Sequence, residues 1–303
     1  ASNNTAVGYF AMQANTTGTR MTSVGSRSGM QNTTGNYNAF FGYDAGESNT
    51  TGASNTFIGD SAGRETTTAS NNTAVGQAAL LANTTGANNV AIGAASLDAN
   101  TTGDYGVALG YQALTANTTG AATTAVGSLA LGSNTTGDYN VGVGHQAAYY
   151  NTTGTEIVAV GHNALVANTT GNYNVAVGGF ALDANTTASN NTAVGYNSLT
   201  ANTTGTANVA VGKATLAEAT TADGNTAVGY ASQDNTTTGA NNTALGRHSM
   251  DGNTTGADNV GVGAYALAGN TTASNNTAIG KSALYANTTG ANNVAVGSLA
   301  LDA

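Results

Sequence analysis

The segment that decides the fold is residues 73–89, TAVGQAALLANTTGANN, because residues 90–106, VAIGAASLDANTTGDYG, repeat its pattern 17 positions later. This 17-residue period runs from Gly8 to Gly297 without an insertion or a deletion. A strict short period is typical of solenoids, in which each repeat forms one coil that stacks on its neighbours. We number the positions of the repeat as columns, so that the recurrent glycine (Gly76 in the quoted segment) is column 4.

The columns predict an all-β fold, a parallel β-solenoid of the β-roll or β-helix type with one 17-residue repeat per coil. Residues 1–303 then form a single array of eighteen coils. Column 1 is Thr or Val in every coil except at Ala39, and column 3 is always Val, Ile, Leu or Phe. β-Branched residues at alternating positions indicate a short strand with columns 1 and 3 on one face. We expect that face to point into the coil.

The other columns predict the rest of the coil. Column 8 is mostly Leu and column 10 mostly Ala, so we expect both inside, with column 8 on a second short strand or extended segment. The glycine of column 4 is expected to adopt a positive φ. Asn-Thr-Thr-Gly in columns 11–14, as in residues 83–86, predicts a corner. Stacked identically, the asparagines of column 11 predict a ladder of amide hydrogen bonds.

Two coils depart from this pattern in a correlated way. Phe40 and Phe57 replace the usual Ala of column 2, and in the same two coils Gly46 and Gly63 replace the Leu of column 8. A large side chain therefore stands where another is lost, which indicates volume compensation between neighbouring positions. Gly29 is also in column 8, but its own coil has no Phe.

The small residues of column 2 suggest self-association. Alternation places columns 2 and 4 on the face opposite columns 1 and 3, and a strip without bulk permits close approach of another chain. We therefore predict a homotrimer around one axis, with possible end-to-end assembly into a filament. The predicted association strip includes Ala6, Gly8, Ala74, Gly76, Ala91, Gly93, Ala108 and Gly110. The alternative is that column 2 is small only because the coil is narrow.

Composition excludes several classes of function. Only 7% of the residues are charged, the formal net charge is −9, and the six Lys and Arg residues form no basic stripe for nucleic acid. Cysteine is absent, so no disulfide framework is expected. No apolar run is long enough for a membrane helix. Neither end carries a capping segment, which leads us to expect a mature fragment or the repeat region of a longer chain.

The repeats resemble a known family. Residues 73–79, TAVGQAA, resemble the head repeats of trimeric autotransporter adhesins, although those heads have a shorter repeat. Residues 191–205, NTAVGYNSLTANTTG, are similar to repeats in bacteriophage tail fibres and bacterial surface proteins. The resemblance implies a trimer of left-handed parallel β-rolls that binds cell-surface or matrix ligands. It also implies an extracellular, cell-surface or virion-tail location.

The Asn-Thr-Thr corner is also a sequon for N-linked glycosylation. Fourteen acceptors lie in column 11, namely Asn15, Asn32, Asn49, Asn83, Asn100, Asn117, Asn134, Asn151, Asn168, Asn185, Asn202, Asn253, Asn270 and Asn287. Six more lie elsewhere, at Asn235 and at Asn3, Asn71, Asn190, Asn241 and Asn275. One hypothesis is a glycan-coated extracellular filament. The other is that these residues simply make a good corner.

We predict a structural fibre or filament segment with an adhesive, surface-display role. No catalytic residue, metal site or cofactor is predicted, because the acidic residues are dispersed over variable columns and no inserted loop builds a pocket. Ice binding through the threonine ladders is a second alternative, although Thr84 and Thr85 are adjacent and would point to opposite sides of a strand. Tyrosines in column 16, such as Tyr105 and Tyr139, form a candidate stripe for binding sugars or surfaces.

Overall fold

The protein folds into short strands joined by turns. The computed structural model describes residues 1–302, and no helix occurs within that range. It contains eighteen strands of three residues each, one per repeat, at columns 1 to 3. The chain divides into two compact units, the first spanning Ala1–Thr153 and the second beginning at Gly154.

The first unit contains strands β1 to β9. Each strand pairs in parallel with the next, column 1 against column 1, as in the pairing of Thr73 with Val90. The strands are β1 Thr5–Val7, β2 Thr22–Val24, β3 Ala39–Phe41, β4 Thr56–Ile58, β5 Thr73–Val75, β6 Val90–Ile92, β7 Val107–Leu109, β8 Thr124–Val126 and β9 Val141–Val143.

The second unit contains strands β10 to β18 with the same parallel register. The strands are β10 Val158–Val160, β11 Val175–Val177, β12 Thr192–Val194, β13 Val209–Val211, β14 Thr226–Val228, β15 Thr243–Leu245, β16 Val260–Val262, β17 Thr277–Ile279 and β18 Val294–Val296. The prediction of an all-β parallel β-solenoid with one repeat per coil is confirmed in each unit.

The strands face the opposite way from our prediction. Column 2 is inside, where Ala74, Ala91 and Ala108 have no exposed surface, whereas columns 1 and 3 are half-buried or exposed. Period-2 alternation identifies two faces but does not say which of them is the interior. The coil is narrow, so its interior accepts an Ala from the strand and a Leu from column 8, such as the fully buried Leu80. The alternative explanation of the small column 2 is therefore the correct one.

The volume compensation is confirmed and explains this orientation. A Cβ added to Gly46 would lie 2.7 Å from the Phe40 ring, and one added to Gly63 would lie 2.6 Å from the Phe57 ring. A Cβ on Gly29 would also lie 2.7 Å from Phe40. Phe40 therefore fills the space left by two glycines in consecutive coils, which is why the coil of Gly29 needs no Phe of its own.

Columns 5 to 10 form consecutive turns instead of the predicted second strand. In one coil the N–H of Ala130 donates to the carbonyl of Gly127 at 3.3 Å, and the N–H of Gly132 donates to the carbonyl of Leu129 at 3.2 Å. Columns 6 and 8 have a positive φ, for example 61° at Leu129 and 49° at Leu131. Turns of this kind place a left-handed residue third. Column 4 has the predicted positive φ, 139° at Gly76, and the left-handed residue next to the Asn-Thr-Thr-Gly corner is in column 16, with 60° at Asn88.

Substituting glycine at a left-handed position should stabilise the protein. Ala122, in column 16, has a φ of 51°. We expect Ala122→Gly to raise the free energy of unfolding by about 0.5–1 kcal/mol, because left-handed backbone costs an L-residue more than the added chain entropy of glycine. Its neighbour Ala121 lacks a positive φ, so Ala121→Gly should lower stability by a similar amount. Urea denaturation of both variants tests this, and equal effects would contradict the assignment.

Candidate functional site

The asparagines of column 11 form the predicted amide ladder, and the ladder lies inside the coil. The Nδ2 of Asn117 donates to the carbonyl of Gly120 at 2.9 Å and to the Oδ1 of Asn100 at 3.0 Å. The Oδ1 of Asn117 accepts from the Nδ2 of Asn134 at 3.0 Å. Each amide thus closes its own corner and joins two coils, which makes these residues part of the core.

This burial corrects the glycosylation prediction for column 11. An attached glycan would need the Nδ2 atom that the ladder uses, so the folded coil has no place for it. Asn15 and Asn287 are half-buried and make the same corner bond. The remaining members are buried, namely Asn32, Asn49, Asn83, Asn100, Asn117, Asn134, Asn151, Asn168, Asn185, Asn202, Asn253 and Asn270.

The other six sequons remain accessible. These acceptors are exposed on the outside of their coils, namely Asn235, Asn3, Asn71, Asn190, Asn241 and Asn275. The exposed acceptors are too sparse to coat every coil. A glycan layer on this protein would therefore be intermittent.

The two threonines that follow column 11 have different environments. In column 12 the hydroxyl donates to the backbone of the next coil, as from the Oγ1 of Thr84 to the carbonyl of Thr101 at 2.9 Å. In column 13 the side chains are exposed, as at Thr85. In two coils Thr66 and Ala219 replace the Asn of column 11, so no sequon is present there. Column 13 is nevertheless Thr in both coils, at Thr68 and Thr221. The recurrence of Thr in column 13 therefore does not depend on glycosylation.

The predicted association strip is wrong, for two reasons. Its alanines Ala74, Ala91 and Ala108 point into the coil, and only Ala6, in the first coil, is exposed. Its glycines are needed because the backbone of the next coil passes close to them. A Cβ on Gly76 would lie 2.5 Å from the carbonyl oxygen of Gly93. Gly8, Gly93 and Gly110 make equivalent close approaches. The strip serves stacking within the chain.

Each unit instead presents an apolar sheet face, formed by columns 1 and 3 of its strands. Column 1 supplies Thr or Val and column 3 supplies Val, Ile, Leu or Phe, with no charged residue in either column. Ile58 and Ile92 in the first unit and Ile279 in the second are each 42% exposed, and Leu245 is 49% exposed. A contiguous apolar face of this kind is typical of an interaction surface.

The second unit also carries a line of aromatic rings on columns 5, 6 and 9. We call it the aromatic track: His162, Phe180, Tyr196, Tyr230, His248, Tyr265 and Tyr285. Ring centroids in consecutive coils lie 5.1 to 6.4 Å apart wherever two rings meet. Between Tyr196 and Tyr230 the line continues through Lys213, whose Nζ lies 6.0 Å from the Tyr230 ring.

One part of the track forms an open cleft of about 230 Å³. The rings of Phe180 and Tyr196 form two of its walls, with their centroids 6.0 Å apart and their planes at 86° to each other. Asp183, Asn197 and Thr200 complete the lining. The Oγ1 of Thr200 donates to the Oδ1 of Asp183 at 2.6 Å, which fixes that carboxylate beside the rings.

Charged groups lie along the later part of the track. The Nδ1 of His248 lies 3.1 Å from the Oδ2 of Asp251, and Arg247 stands over the Tyr265 ring at 5.3 Å. Burial raises the pKa of Asp234 above its usual 3.8, and the carboxylates of Asp251 and Glu218 raise it further. Carboxylates and cations therefore both lie beside the rings.

Sequence reasoning missed the aromatic track because columns 5, 6 and 9 vary from coil to coil. The signal was that rings in those columns occupy consecutive coils after residue 160, which only a coil-by-coil alignment displays. The predicted stripe in column 16 is exposed, with Tyr105 and Tyr139 each at 63%. Those two rings are two periods apart, so the stripe is interrupted.

Comparison with known proteins adds no identification. No protein-family model matches the chain, and no curated protein matches it. Over residues 1–302, no helix has the length and apolar character needed to cross a bilayer. Within the same range, no three His, Asp or Glu side chains come together as metal ligands would.

Proposed function

We propose that this chain is a non-catalytic segment of an extracellular fibre or filament, with an adhesive, surface-display role, whose copies associate through the apolar sheet faces. The observation that carries this proposal is the outward position of columns 1 and 3. An uncharged apolar face repeated in every coil is costly to leave in water and is covered when a second copy packs against it.

The dimensions of the faces agree with a stable interface. A strand of three residues is about 10 Å long and coils are about 4.8 Å apart, so the faces of one chain together offer roughly 850 Å². This area is comparable with the roughly 800 Å² that each partner buries in one standard pairwise interface, and in a trimer it would be divided between two neighbours. Charged residues such as Asp60, Lys213 and Lys281 stand in column 5, beside the apolar columns, as in the polar rim of an interface.

The assembly we propose is a homotrimer of left-handed coils. Three copies around one axis would each turn their apolar faces inward, and closed symmetry would leave none of these faces in water. The number three and the handedness rest on the resemblance to adhesin heads. The location outside the cell or on a virion tail rests on the same resemblance.

Two alternative functions, glycosylation and ice binding, are each favoured by a particular observation. Occasional glycans on exposed acceptors such as Asn71 and Asn190 are compatible with the fold. Ice binding is favoured by the apolar sheet faces, where Thr and Val point outward in two regular columns, unlike the adjacent threonines of columns 12 and 13. A regular, uncharged array of this kind can order water, but only if no partner covers it.

The oligomeric state tests the proposal. We expect the wild-type chain to be trimeric by light scattering coupled to gel filtration. Val126→Lys combined with Val194→Lys should make it monomeric, because each change places a charge on one apolar sheet face. Thr136→Lys combined with Thr204→Lys adds the same charge in column 13 and should leave the trimer intact. A monomeric wild type that shows thermal hysteresis would instead identify an ice-binding protein.

A further inference from the structure

We propose that the cleft between Phe180 and Tyr196 binds one sugar residue of a neutral linear polysaccharide, and that the rest of the aromatic track binds the following residues. This inference rests on the proposed adhesive function and names its ligand class. The track lies on columns 5, 6 and 9, whereas association would use columns 1 and 3. The two surfaces are adjacent, because column 5 borders the apolar sheet face and also carries Tyr196 of the track.

The walls of the cleft match the apolar faces of a sugar ring. A pyranose presents C–H groups on its faces, and these pack against the electron-rich face of an aromatic ring. Tyr196 is 51% exposed and Phe180 is half-buried, so the two perpendicular rings offer apolar surface that the chain itself does not cover. The volume of about 230 Å³ lies below the usual range of about 300–1,000 Å³ for drug-sized ligands and is appropriate for a single sugar ring.

The polar lining of the cleft matches the hydroxyls at the edge of a sugar. Thr200 holds the Oδ1 of Asp183 at 2.6 Å, so the carboxylate is positioned before any ligand arrives. Its Oδ2 is left to accept from a sugar hydroxyl. Asn197 brings a side-chain amide to the same cleft, which can both donate and accept. A fixed carboxylate and an amide beside aromatic walls therefore favour a polyhydroxylated ring over a purely apolar ligand.

The spacing of the coils favours a polymer over a single sugar. Coils repeat at about 4.7–4.9 Å, which is close to the advance of one residue in an extended linear glycan. Rings follow in successive coils, with centroids 5.3 Å apart between Tyr230 and His248 and 5.4 Å apart between His248 and Tyr265. The carboxylates of Asp234 and Asp251 lie beside these rings, as Asp183 lies beside Phe180. A polysaccharide lying along the solenoid would meet an aromatic ring in seven of the eight coils from His162 to Tyr285, and Lys213 in the other.

The charge of the protein selects neutral polymers. Its net charge is −9, although Lys213, Arg247 and Lys281 share the columns of the track with Asp183, Asp234 and Asp251. Anionic polymers such as polyuronates would be repelled by the net negative charge of the chain.

The first unit contains a natural comparison site. Asp98 and Thr115 repeat the carboxylate–hydroxyl pair at 2.5 Å, and Tyr111 stands where Tyr196 stands in the cleft. The position that corresponds to Phe180 is Ala95, so the second aromatic wall is missing. The comparison site should therefore bind sugars much more weakly than the cleft.

Affinity gel electrophoresis of the full chain tests the proposal, with hydroxyethylcellulose, galactomannan or alginate in native gels. We expect retardation by at least one of the two neutral polymers and none by alginate. Tyr196→Ala and Asp183→Asn should each weaken the apparent affinity about tenfold, which corresponds to about 1.4 kcal/mol. The matched variants Tyr111→Ala and Asp98→Asn should change it less than about twofold. Each variant is first checked for wild-type circular dichroism and oligomeric state.

Two outcomes would overturn the proposal. One is the absence of retardation by both neutral polymers, and the other is equal weakening by the cleft variants and the matched variants. Neither outcome affects the trimer, because light scattering measures assembly separately. A monomeric wild type that still binds the polymer through Tyr196 would refute the proposed assembly and leave the sugar site standing.

Discussion

Gly195→Ala should destabilise the second unit by about 4 kcal/mol or more, the largest effect that we expect from a single methyl group in this protein. Gly195 has a φ of 138°, in a region that L-residues rarely enter. A Cβ there would lie 2.3 Å from the carbonyl oxygen of Gly212 in the next coil. The backbone must therefore shift, and each shifted coil disturbs the hydrogen bonds of its neighbours. The chain has no flexible side chain at this point that could move aside.

Gly179→Ala is the matched control, since it adds the same methyl group one column later in the preceding coil. Gly179 has no positive φ, and its nearest contact would be the Tyr196 ring at 3.5 Å, an ordinary van der Waals distance. We expect a change within about 0.5 kcal/mol. Because solenoids can unfold coil by coil, hydrogen exchange resolved by peptide is the better measurement. Lost protection around strands β11 to β13 in Gly195→Ala only is the expected pattern, and equal protection in both variants would contradict it.

The period and the glycines made most of the fold predictable. The 17-residue repeat implied one coil per repeat, and the invariant column 4 implied a backbone that only glycine adopts. Both follow from geometry that every coil must satisfy, because one irregular coil would disturb the register of the coils on either side. The ladder of column 11 followed from the same repetition, since identical amides stacked at one spacing have few other partners.

The orientation of the strand was not predictable from alternation alone. Columns 1 and 3 carry the larger apolar residues, and large apolar residues are usually inside. In a coil this narrow, however, the strand contributes only Ala74 and its equivalents to the interior, and the bulk comes from Leu80 and its equivalents. The correlated occurrence of Phe40 and Gly46 in one coil indicated the orientation of the strand. Two positions that compensate each other's volume must share a space, so column 2 had to lie on the same side as column 8.

The candidate site was less predictable than the fold for a related reason. A sequon identifies an acceptor asparagine but does not specify the direction of its side chain. Whether Asn117 faces out or in depends on the corner that its own amide closes with Gly120. The aromatic track depends on unlike residues in variable columns, such as Phe180 and Tyr196, which come together only because adjacent coils stack in register.

The structural role of column 11 predicts a second large effect. We expect Asn117→Ala to lower the free energy of unfolding of the first unit by about 2–4 kcal/mol, because buried polar atoms that lose their partner cost about 1–3 kcal/mol each. The substitution removes the two hydrogen bonds that the Nδ2 of Asn117 donates, to the carbonyl of Gly120 and to the Oδ1 of Asn100. It also removes the Oδ1 that accepts from the Nδ2 of Asn134. The ladder is interrupted naturally where Thr66 and Ala219 occupy column 11. In the preceding coils the Oδ1 atoms of Asn49 and Asn202 are buried without a hydrogen-bond partner.

Thr119→Ala separates this structural role from glycosylation, because Asn117-Thr118-Thr119 is the sequon and Thr119 is its third residue. Either substitution destroys the acceptor sequence, but only Asn117→Ala breaks the ladder, since the side chain of Thr119 is exposed. Chemical denaturation of unglycosylated protein should therefore show a large loss for Asn117→Ala and a change within about 0.5 kcal/mol for Thr119→Ala. Similar small changes in both variants would mean that the ladder contributes little. The sequon would then again become the better explanation of column 11, and a glycan on Asn117 would have to be sought by mass spectrometry.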